Sequence, residues 1–180
     1  MPIMPHKNIE EILIPGNRIN KRVVAIARKI SRDYRNKDLV FVGVLKGCAL
    51  FLSDLIKEIN MDCSVDFICL SSYSGAQSTG VVRTILDLRQ NIENKDVLVV
   101  EDIVDSGLTM NYLLRNLKTR RPRSIRVCTL LDKPSCRKVS IPIAYAGFKI
   151  PNKFVVGYGL DHNELYRNLP YIGVLKNSAI

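Results

Sequence analysis

Residues 97–109 read VLVVEDIVDSGLT and join a strand pattern directly to a helix pattern. Its four leading apolar residues predict a strand that is covered on both faces, as the strands of parallel sheets are. The segment at 105–109 predicts the start of a helix, because Asp, Ser and Thr are common helix-capping residues. Backbone N–H groups at a helix start bind anions. Ser106 and Thr109 can add hydroxyl donors, and Gly107 lets the backbone approach the anion closely. We therefore expect a phosphate site between this strand and this helix.

The flanking sequence alternates between strand and helix patterns. Apolar runs predict strands at 39–45, 65–70, 84–88, 97–100 and 125–131, with further runs at 143–148, 154–156 and 172–175. Apolar residues at helical spacing predict helices at 18–34, 48–59 and 108–118. The alternation is typical of an α/β fold, with a mostly parallel twisted sheet and helices on both faces. Because ligands bind at the carboxyl ends of such strands, the candidate site comprises the loops after Leu45, Val100 and Leu131.

The composition is typical of one globular domain that handles anions. Of the 180 residues, 47% are hydrophobic and 24% are charged. No apolar run approaches the roughly 20 residues of a membrane helix, and the first ten residues include no apolar signal segment, so we expect a cytoplasmic protein without a membrane partner. The net charge of +10 fits binding of small polyanions or of nucleic acid. The five cysteines include no CxxC pair, which disfavours a zinc site.

Glu101 and Asp102 need an explanation of their own. Two adjacent carboxylates at the end of a buried strand are costly when both are desolvated. They become useful beside sugar hydroxyls, a divalent cation or a developing positive charge. A phosphate site on one side and a hydroxyl-binding site on the other indicate a ribose 5-phosphate as the ligand.

Residues 99–109 (VVEDIVDSGLT) resemble the motif with which type I phosphoribosyltransferases bind 5-phosphoribosyl-1-pyrophosphate (PRPP). The motif consists of an apolar strand, two acidic residues, two apolar residues and Asp-Ser/Thr-Gly-x-Thr, and the chain matches all of it. A Walker A loop is excluded, because the GK[ST] ending is missing. The resemblance implies the α/β fold of that family with a small hood over the active site, formed by the N-terminal segment and residues from about 133 to 180 of a single domain.

The same resemblance assigns roles within the motif. It implies that Glu101 and Asp102 bind the ribose hydroxyls. It also implies that Asp105 is the catalytic general acid or base near N7 of a purine. The loop around the 5-phosphate would consist of Asp105, Ser106, Gly107, Leu108 and Thr109.

Four further segments make the resemblance closest to the hypoxanthine-guanine members of the family. Lys46 and Gly47 correspond to the pair that meets pyrophosphate. Ser72 and Tyr73 lie in a polar, glycine-containing stretch that is similar to the mobile lid of the family. Lys133 corresponds to the lysine that donates to the purine O6, and an ammonium group, being donor-only, suits a carbonyl and opposes the amino group of adenine.

The fourth segment is 153–169, KFVVGYGLDHNELYRNL. It implies that Phe154 stacks on the purine and that Val155 offers backbone hydrogen bonds to the base edge. Asp161 would lie beside the base and bind a metal, and Arg167 would bind pyrophosphate. Taken alone, Phe154 equally fits a core aromatic residue, Lys46 and Lys133 fit surface turns, and the lid stretch fits an ordinary loop.

The chain departs from the family pattern in two places. Leu108 stands where many relatives carry lysine, so the phosphate loop lacks one positive charge. Residues 134–139 match the family poorly.

The resemblance implies an enzyme of purine salvage that transfers the 5-phosphoribosyl group of PRPP to N9 of hypoxanthine or guanine. It implies Mg²⁺ as the cofactor, with Asp161, Glu101 and Asp102 as candidate ligands, and a homodimer or homotetramer. Preference among hypoxanthine, guanine and xanthine stays open. The alternative is a phosphoribosyltransferase-like regulator that binds nucleic acid, which the net charge supports but for which the sequence offers no helix-turn-helix segment before Arg18.

Overall fold

Twelve helices and strands follow one another in the computed structural model, which describes residues 5–72 and 82–180. The strands are β1 (Ile9–Ile14), β2 (Leu39–Leu45), β3 (Ser64–Ser72), β4 (Val82–Leu86), β5 (Asp96–Val104), β6 (Ser124–Asp132), β7 (Ile143–Lys149), β8 (Val155–Val156) and β9 (Ile172–Leu175). The α-helices are α1 (Gly16–Asp33), α2 (Ala49–Lys57) and α3 (Leu108–Lys118). Single 3₁₀ turns lie at Pro134–Cys136 and Asn177–Ala179.

Six strands form the large sheet, in the order β4-β3-β2-β5-β6-β7. All neighbouring pairs are parallel except β3 and β4, which are antiparallel at one edge. This arrangement confirms the predicted mostly parallel α/β sheet.

The continuous apolar character of the central strands follows from burial on both faces. Phe41 and Leu98 point to the face covered by α1 and α2, where they join one hydrophobic cluster. Val42 and Val99, one residue further along each strand, join the cluster on the opposite face with Leu113 of α3. Because side chains alternate along a strand, only a run such as LVFVGVL fills both clusters.

The predicted bounds of β2 and α3 are confirmed, whereas the predicted end of β5 at Val100 is wrong. The strand continues to Val104, because Ile103 and Val104 keep pairing with Leu131 and Asp132 of β6. Glu101 and Asp102 therefore lie within the strand and not in the loop after it. The other predicted elements have bounds within about two residues of the observed ones, the usual scatter of helix and strand ends.

A second, three-stranded sheet joins distant parts of the chain in the order β1-β9-β8. Strand β1 was not predicted, because Glu10 and Glu11 interrupt its apolar pattern and its antiparallel partner, β9, begins only at Ile172. Within the segment expected to contribute to the hood, β7 belongs to the large sheet, whereas β8 and β9 belong to the small one. Among the described helices, none is both long and apolar enough to cross a bilayer.

Candidate active site

The candidate site lies where β2, β5 and β6 end. These three strands are parallel neighbours, so the segments that follow Leu45, Val104 and Asp132 emerge at the same edge of the sheet. The predicted phosphate loop, the predicted pyrophosphate residues and the predicted purine lysine each follow one of these strands. The fold thus brings the three groups to one edge.

The phosphate loop turns sharply at Gly107, the residue before α3. Its backbone has φ of +83°, in the left-handed region that favours glycine. A side chain here would also approach the carbonyl oxygen of Val139 to 2.8 Å. The loop and the end of β5 enclose a cavity of about 120 Å³. Its lining consists of Glu101, Ile103, Val104, Asp105, Ser106, Gly107, Thr109 and Met110.

Leu108, which replaces the lysine of many relatives, is 49% exposed at the first position of α3. Ser106 Oγ accepts a hydrogen bond of 3.4 Å from the Leu108 backbone N–H. The loop therefore offers backbone and hydroxyl groups to a phosphate, and the Leu108 side chain points into solvent.

Residues 137–139, which match the family poorly in sequence, hold this loop from outside. The Lys138 and Val139 backbone N–H groups donate to the Ser106 carbonyl at 2.9 and 3.2 Å. Arg137 donates from Nη1 to the Asp105 carbonyl at 3.0 Å and from Nη2 to the Asp132 carboxylate. Sequence reasoning missed Arg137, because an arginine five residues after a strand end carries no spacing signal.

Lys133 and Asp105 form an ion pair at the edge of this loop. The Nζ of Lys133 lies 3.4 Å from Oδ2 of Asp105. The lysine side chain is only 8% exposed, whereas that of Asp105 is 51% exposed. A buried ammonium group needs polar partners, and Asp105 supplies one, so a donor and a carboxylate lie together at the ends of β5 and β6.

Asp102 is buried, and the backbone at Gly47 packs directly against it. A Cβ atom at Gly47 would lie 1.8 Å from Oδ2 of Asp102, and one at Gly159 would lie 2.1 Å from the Gly47 carbonyl oxygen. The Asp102 carboxylate accepts a hydrogen bond of 2.8 Å from the Ile103 N–H. The peptide bond between Leu45 and Lys46 is cis.

Burial and the neighbouring charge of Asp102 raise the pKa of Glu101 well above its usual value. The pKa of Asp102 is raised as well, mainly by burial, although hydrogen bonds and the charge of Arg167 oppose the shift. Ionisation of both carboxyl groups at once is thus electrostatically unfavourable.

We expect Glu101→Gln to stabilise the ligand-free protein at pH 8. The raised pKa means that the folded chain keeps a proton that the unfolded chain releases above about pH 4.5, so the Glu101 contribution to stability falls as the pH rises through this range. Glutamine removes that loss. Thermal unfolding without added ligand or divalent cation should show a gain in Tm of about 3 °C or more at pH 8 and a smaller gain at pH 5.

Glu93→Gln is the matched control, because Glu93 is exposed and precedes the start of β5, at the opposite end of the strand from the candidate site. A gain in Tm for Glu101→Gln that is the same at both pH values, or a loss at pH 8, would contradict the prediction.

The predicted pyrophosphate residues meet at an ionic network. Lys46 Nζ lies 3.1 Å from Oε1 of Glu164, and Arg167 Nη2 lies 3.2 Å from Oε2 of the same residue. Arg167 Nη1 also pairs with Asp161 Oδ1 at 2.9 Å and donates to the Gly159 carbonyl at 2.7 Å. Hydrogen bonds from Lys46 and Arg167 lower the pKa of Glu164. Glu164 was not predicted, since only the folded chain brings it to both cations.

Phe154 and Val155 lie at the start of the small sheet. Phe154 is 42% exposed, so it is not a core aromatic residue, and its ring meets His162 edge-on at 5.3 Å between centroids. Val155 is buried and pairs with Val174 of β9.

Ser72 is the last residue of β3, whereas Tyr73, the other predicted lid residue, lies outside the described residues.

No three His, Cys, Asp or Glu side chains are grouped to hold a metal ion within residues 5–72 and 82–180. The three predicted metal ligands divide between two elements: Glu101 and Asp102 are on β5, and Asp161 follows β8.

Comparison with known proteins agrees with this geometry. Residues 10–163 match the model of the phosphoribosyl transferase domain. The hypoxanthine-guanine phosphoribosyltransferase of Staphylococcus aureus is 49% identical over 172 residues, which are 95% of this chain and 96% of that protein. The corresponding Mycobacterium avium enzyme is 49% identical over 93% of this chain and 86% of its own length.

Solved structures are similar in three dimensions. A hypoxanthine phosphoribosyltransferase from S. aureus superposes with a TM-score of 0.93 at 48% identity, covering 99% of this chain and 97% of its own. The Trypanosoma cruzi enzyme in complex with the product IMP gives 0.92 at 40% identity, covering 99% of this chain and all of its own. With the family model spanning most of the sequence and these relatives covering nearly all of it, the chain belongs to the phosphoribosyltransferase family.

Proposed function

We propose that this chain transfers the 5-phosphoribosyl group of PRPP to N9 of hypoxanthine or guanine and releases IMP or GMP with pyrophosphate, as an enzyme of purine salvage. The observation that carries the proposal is the buried ammonium group of Lys133, paired with Asp105 beside the phosphate loop. A donor-only group at this position suits the carbonyl of a 6-oxopurine. The names of the S. aureus and M. avium relatives support the same substrates.

The phosphate loop would hold the 5-phosphate of PRPP. Backbone N–H groups at the start of α3 and the hydroxyls of Ser106 and Thr109 supply the donors. Arg137 and the backbone of 138–139 keep the loop in place through its carbonyl groups. Leu108 adds no charge, so the backbone and the hydroxyl groups carry this contact.

Glu101 and Asp102 would bind the ribose hydroxyls. Burial raises the pKa of both carboxyl groups, and hydrogen bonds from ribose hydroxyls would favour their ionised forms. As the bond from C1′ to pyrophosphate breaks, positive charge would develop on the ribose ring, and carboxylates bound to its hydroxyls would stabilise that charge. The bonding electron pair leaves with pyrophosphate, while the lone pair of N9 forms the new bond to C1′.

The base would lie between Lys133 and the hood. Lys133 donates to O6, Val155 offers backbone groups to the base edge, and Phe154, exposed on the hood side, stacks on the ring. Asp105 would act as the general acid or base that exchanges a proton with the purine near N7, while N9 attacks C1′. Ser72 and Tyr73 would help to close the site against water, which would otherwise attack C1′.

Lys46, Gly47 and Arg167 would hold the pyrophosphate group. Mg²⁺ is the proposed cofactor, because its preferred ligands are oxygens, and the Asp161 carboxylate is fixed at Oδ1 by Arg167 and at Oδ2 by the Glu164 N–H. Asp161, Glu101 and Asp102 are the candidate ligands, and because they do not form one cluster among the described residues, substrate oxygens and water would complete the coordination. When bound, Mg²⁺ neutralises the charge that develops on the departing pyrophosphate.

The test is product formation from PRPP and Mg²⁺ with hypoxanthine, guanine, xanthine and adenine in parallel. Hypoxanthine and guanine should be converted and adenine should not. Lys133→Ala should lower kcat/KM for hypoxanthine by about 10- to 100-fold, because a hydrogen bond to a charged donor is lost. The same variant should lower the ratio of kcat/KM for hypoxanthine to kcat/KM for adenine.

Lys118→Ala is the control, since Lys118 is an exposed lysine at the end of α3. A folded wild-type protein that binds PRPP but converts none of the four purines would overturn the proposal. Salt-dependent binding of nucleic acid by that protein would then favour the regulator. Faster conversion of xanthine than of hypoxanthine would show that xanthine is the preferred substrate.

The homodimer or homotetramer expected from the resemblance stays a prediction. Size-exclusion chromatography with light scattering would give the mass in solution.

A further inference from the structure

Glu164 contacts both cations to which we assign pyrophosphate binding. One carboxylate oxygen lies 3.1 Å from Lys46 Nζ, and the other lies 3.2 Å from Arg167 Nη2. A carboxylate that presents one oxygen to each of two cations has the same contact pattern as two oxygens of a bound phosphate group.

These ion pairs are open to solvent. The side chains of Lys46 and Glu164 are both 63% exposed, and that of Arg167 is 26% exposed. Exposed pairs contribute little stability, so an incoming anion of higher charge can displace the carboxylate. The pairs therefore fit an exchangeable contact better than a structural one.

Arg167 would stay in place after such an exchange. Its Nη1 remains bound to the Gly159 carbonyl and to Asp161, independently of Glu164. The guanidinium group is thus fixed on one side, and Nη2, once released from Glu164, can donate to a ligand.

The backbone holds Glu164 in an unusual conformation. Asn163, Glu164 and Tyr166 all have positive φ, at 51°, 64° and 74°. Left-handed conformations are costly for residues other than glycine, and they cluster at ligand clamps where the surrounding structure imposes them. Here the Glu164 N–H is bound to Asp161 Oδ2 at 2.9 Å, and His162 and Leu165 exchange backbone hydrogen bonds. The segment thus fixes the glutamate near the two cations.

We propose that Glu164 is a resident anion that competes with the pyrophosphate group of PRPP, and with product pyrophosphate, for Lys46 and Arg167. In the ligand-free site it keeps two like charges compensated. When pyrophosphate binds, the carboxylate is displaced, and its return favours departure of the product. The inference rests on the proposed function, because it takes Lys46 and Arg167 as the pyrophosphate residues.

Glu164→Gln should therefore tighten the binding of pyrophosphate. Two exposed ion pairs no longer have to be broken, which corresponds to an affinity gain of about three- to tenfold. The KM for PRPP should fall by a similar factor, whereas the KM for hypoxanthine should not change. Glu164→Asp keeps the charge on a shorter side chain and should lie between the wild type and the glutamine variant.

The experiment is isothermal titration calorimetry of the full chain with pyrophosphate at fixed excess Mg²⁺. It is combined with product inhibition by pyrophosphate against PRPP. Glu93→Gln is the matched control, because Glu93 is an exposed glutamate that pairs with Arg121 at 4.0 Å, away from the site. Melting temperatures confirm that every variant is folded.

Tighter pyrophosphate binding by Glu164→Gln, with no change in Glu93→Gln, supports the inference. Unchanged or weaker binding by a folded Glu164→Gln overturns it, even if the wild type converts hypoxanthine. A wild type that binds pyrophosphate but converts no purine rejects the proposed function alone, and the comparison of affinities still decides the role of Glu164. A wild type that does not bind pyrophosphate at all overturns the role of Glu164, and its turnover of hypoxanthine then decides the proposed function separately.

Discussion

Asp105→Asn should lower kcat with hypoxanthine by about 10²- to 10⁴-fold, the range expected when a general acid or base is lost. Asparagine has nearly the same size but cannot exchange a proton, and it replaces the carboxylate that lies 3.4 Å from Lys133. The phosphate loop should keep its shape, because Arg137 holds the Asp105 carbonyl and not its side chain. Binding of PRPP should therefore change far less than turnover.

Steady-state kinetics and calorimetric titration with PRPP and Mg²⁺ separate the two effects. Asp87→Asn is the control, because Asp87 has a similar exposure of 53% and pairs with Arg120 away from the site. A turnover for Asp105→Asn within tenfold of the wild type would remove Asp105 from its proposed role. If Asp105→Asn lost PRPP affinity by the same factor as kcat, Asp105 would be a binding residue instead.

Gly47→Ala should lower kcat/KM for PRPP by about 10²-fold, because a displacement of about 1 Å at reacting groups has an effect of this size. The added methyl group would lie 1.8 Å from Oδ2 of Asp102, so either the carboxylate or the turn after β2 must move. Both carry residues of the proposed site. The turn also packs against Gly159, where a Cβ would lie 2.1 Å from the Gly47 carbonyl oxygen, so a lower melting temperature is expected as well.

The kinetic constant for PRPP and the melting temperature should be measured on the same samples. Leu50→Ala is the control for disturbance of this region, since Leu50 is 41% exposed at the start of α2. An unchanged kcat/KM for Gly47→Ala would show that the close contact with Asp102 has no part in PRPP binding.

Residues with strong local patterns could be predicted from the sequence. The run at 39–45 is apolar at every position because both of its faces are covered, and its bounds were predicted without error. The helix at 108–118 was equally clear, since it follows a capping segment and carries apolar residues on one face. The acidic pair and the phosphate loop could be found because their residues are consecutive in sequence.

Features that depend on distant partners could not be predicted. Strand β1 has two glutamates in its middle, and only its pairing with β9 makes it a strand. Arg137 joins the candidate site through Asp105. Glu164 joins it through Lys46 and Arg167. Such contacts produce no recognisable spacing pattern in the sequence. The sequence does not reveal the extension of β5 to Val104, because two acidic residues are typical of the end of a buried strand, whereas pairing with β6 continues past them.

The small sheet has a consequence for the order in which the protein can assemble during translation. All six strands of the large sheet are synthesised before residue 150, whereas the small sheet needs β9, at residues 172–175. On the ribosome, the large sheet can form while β1 still waits for the strand that pairs with it. Phe154, Asp161 and Arg167 also emerge only in this late part of the chain. A nascent chain would thus contain the loop at 105–109 before it has the residues to which we assign base, metal and pyrophosphate binding.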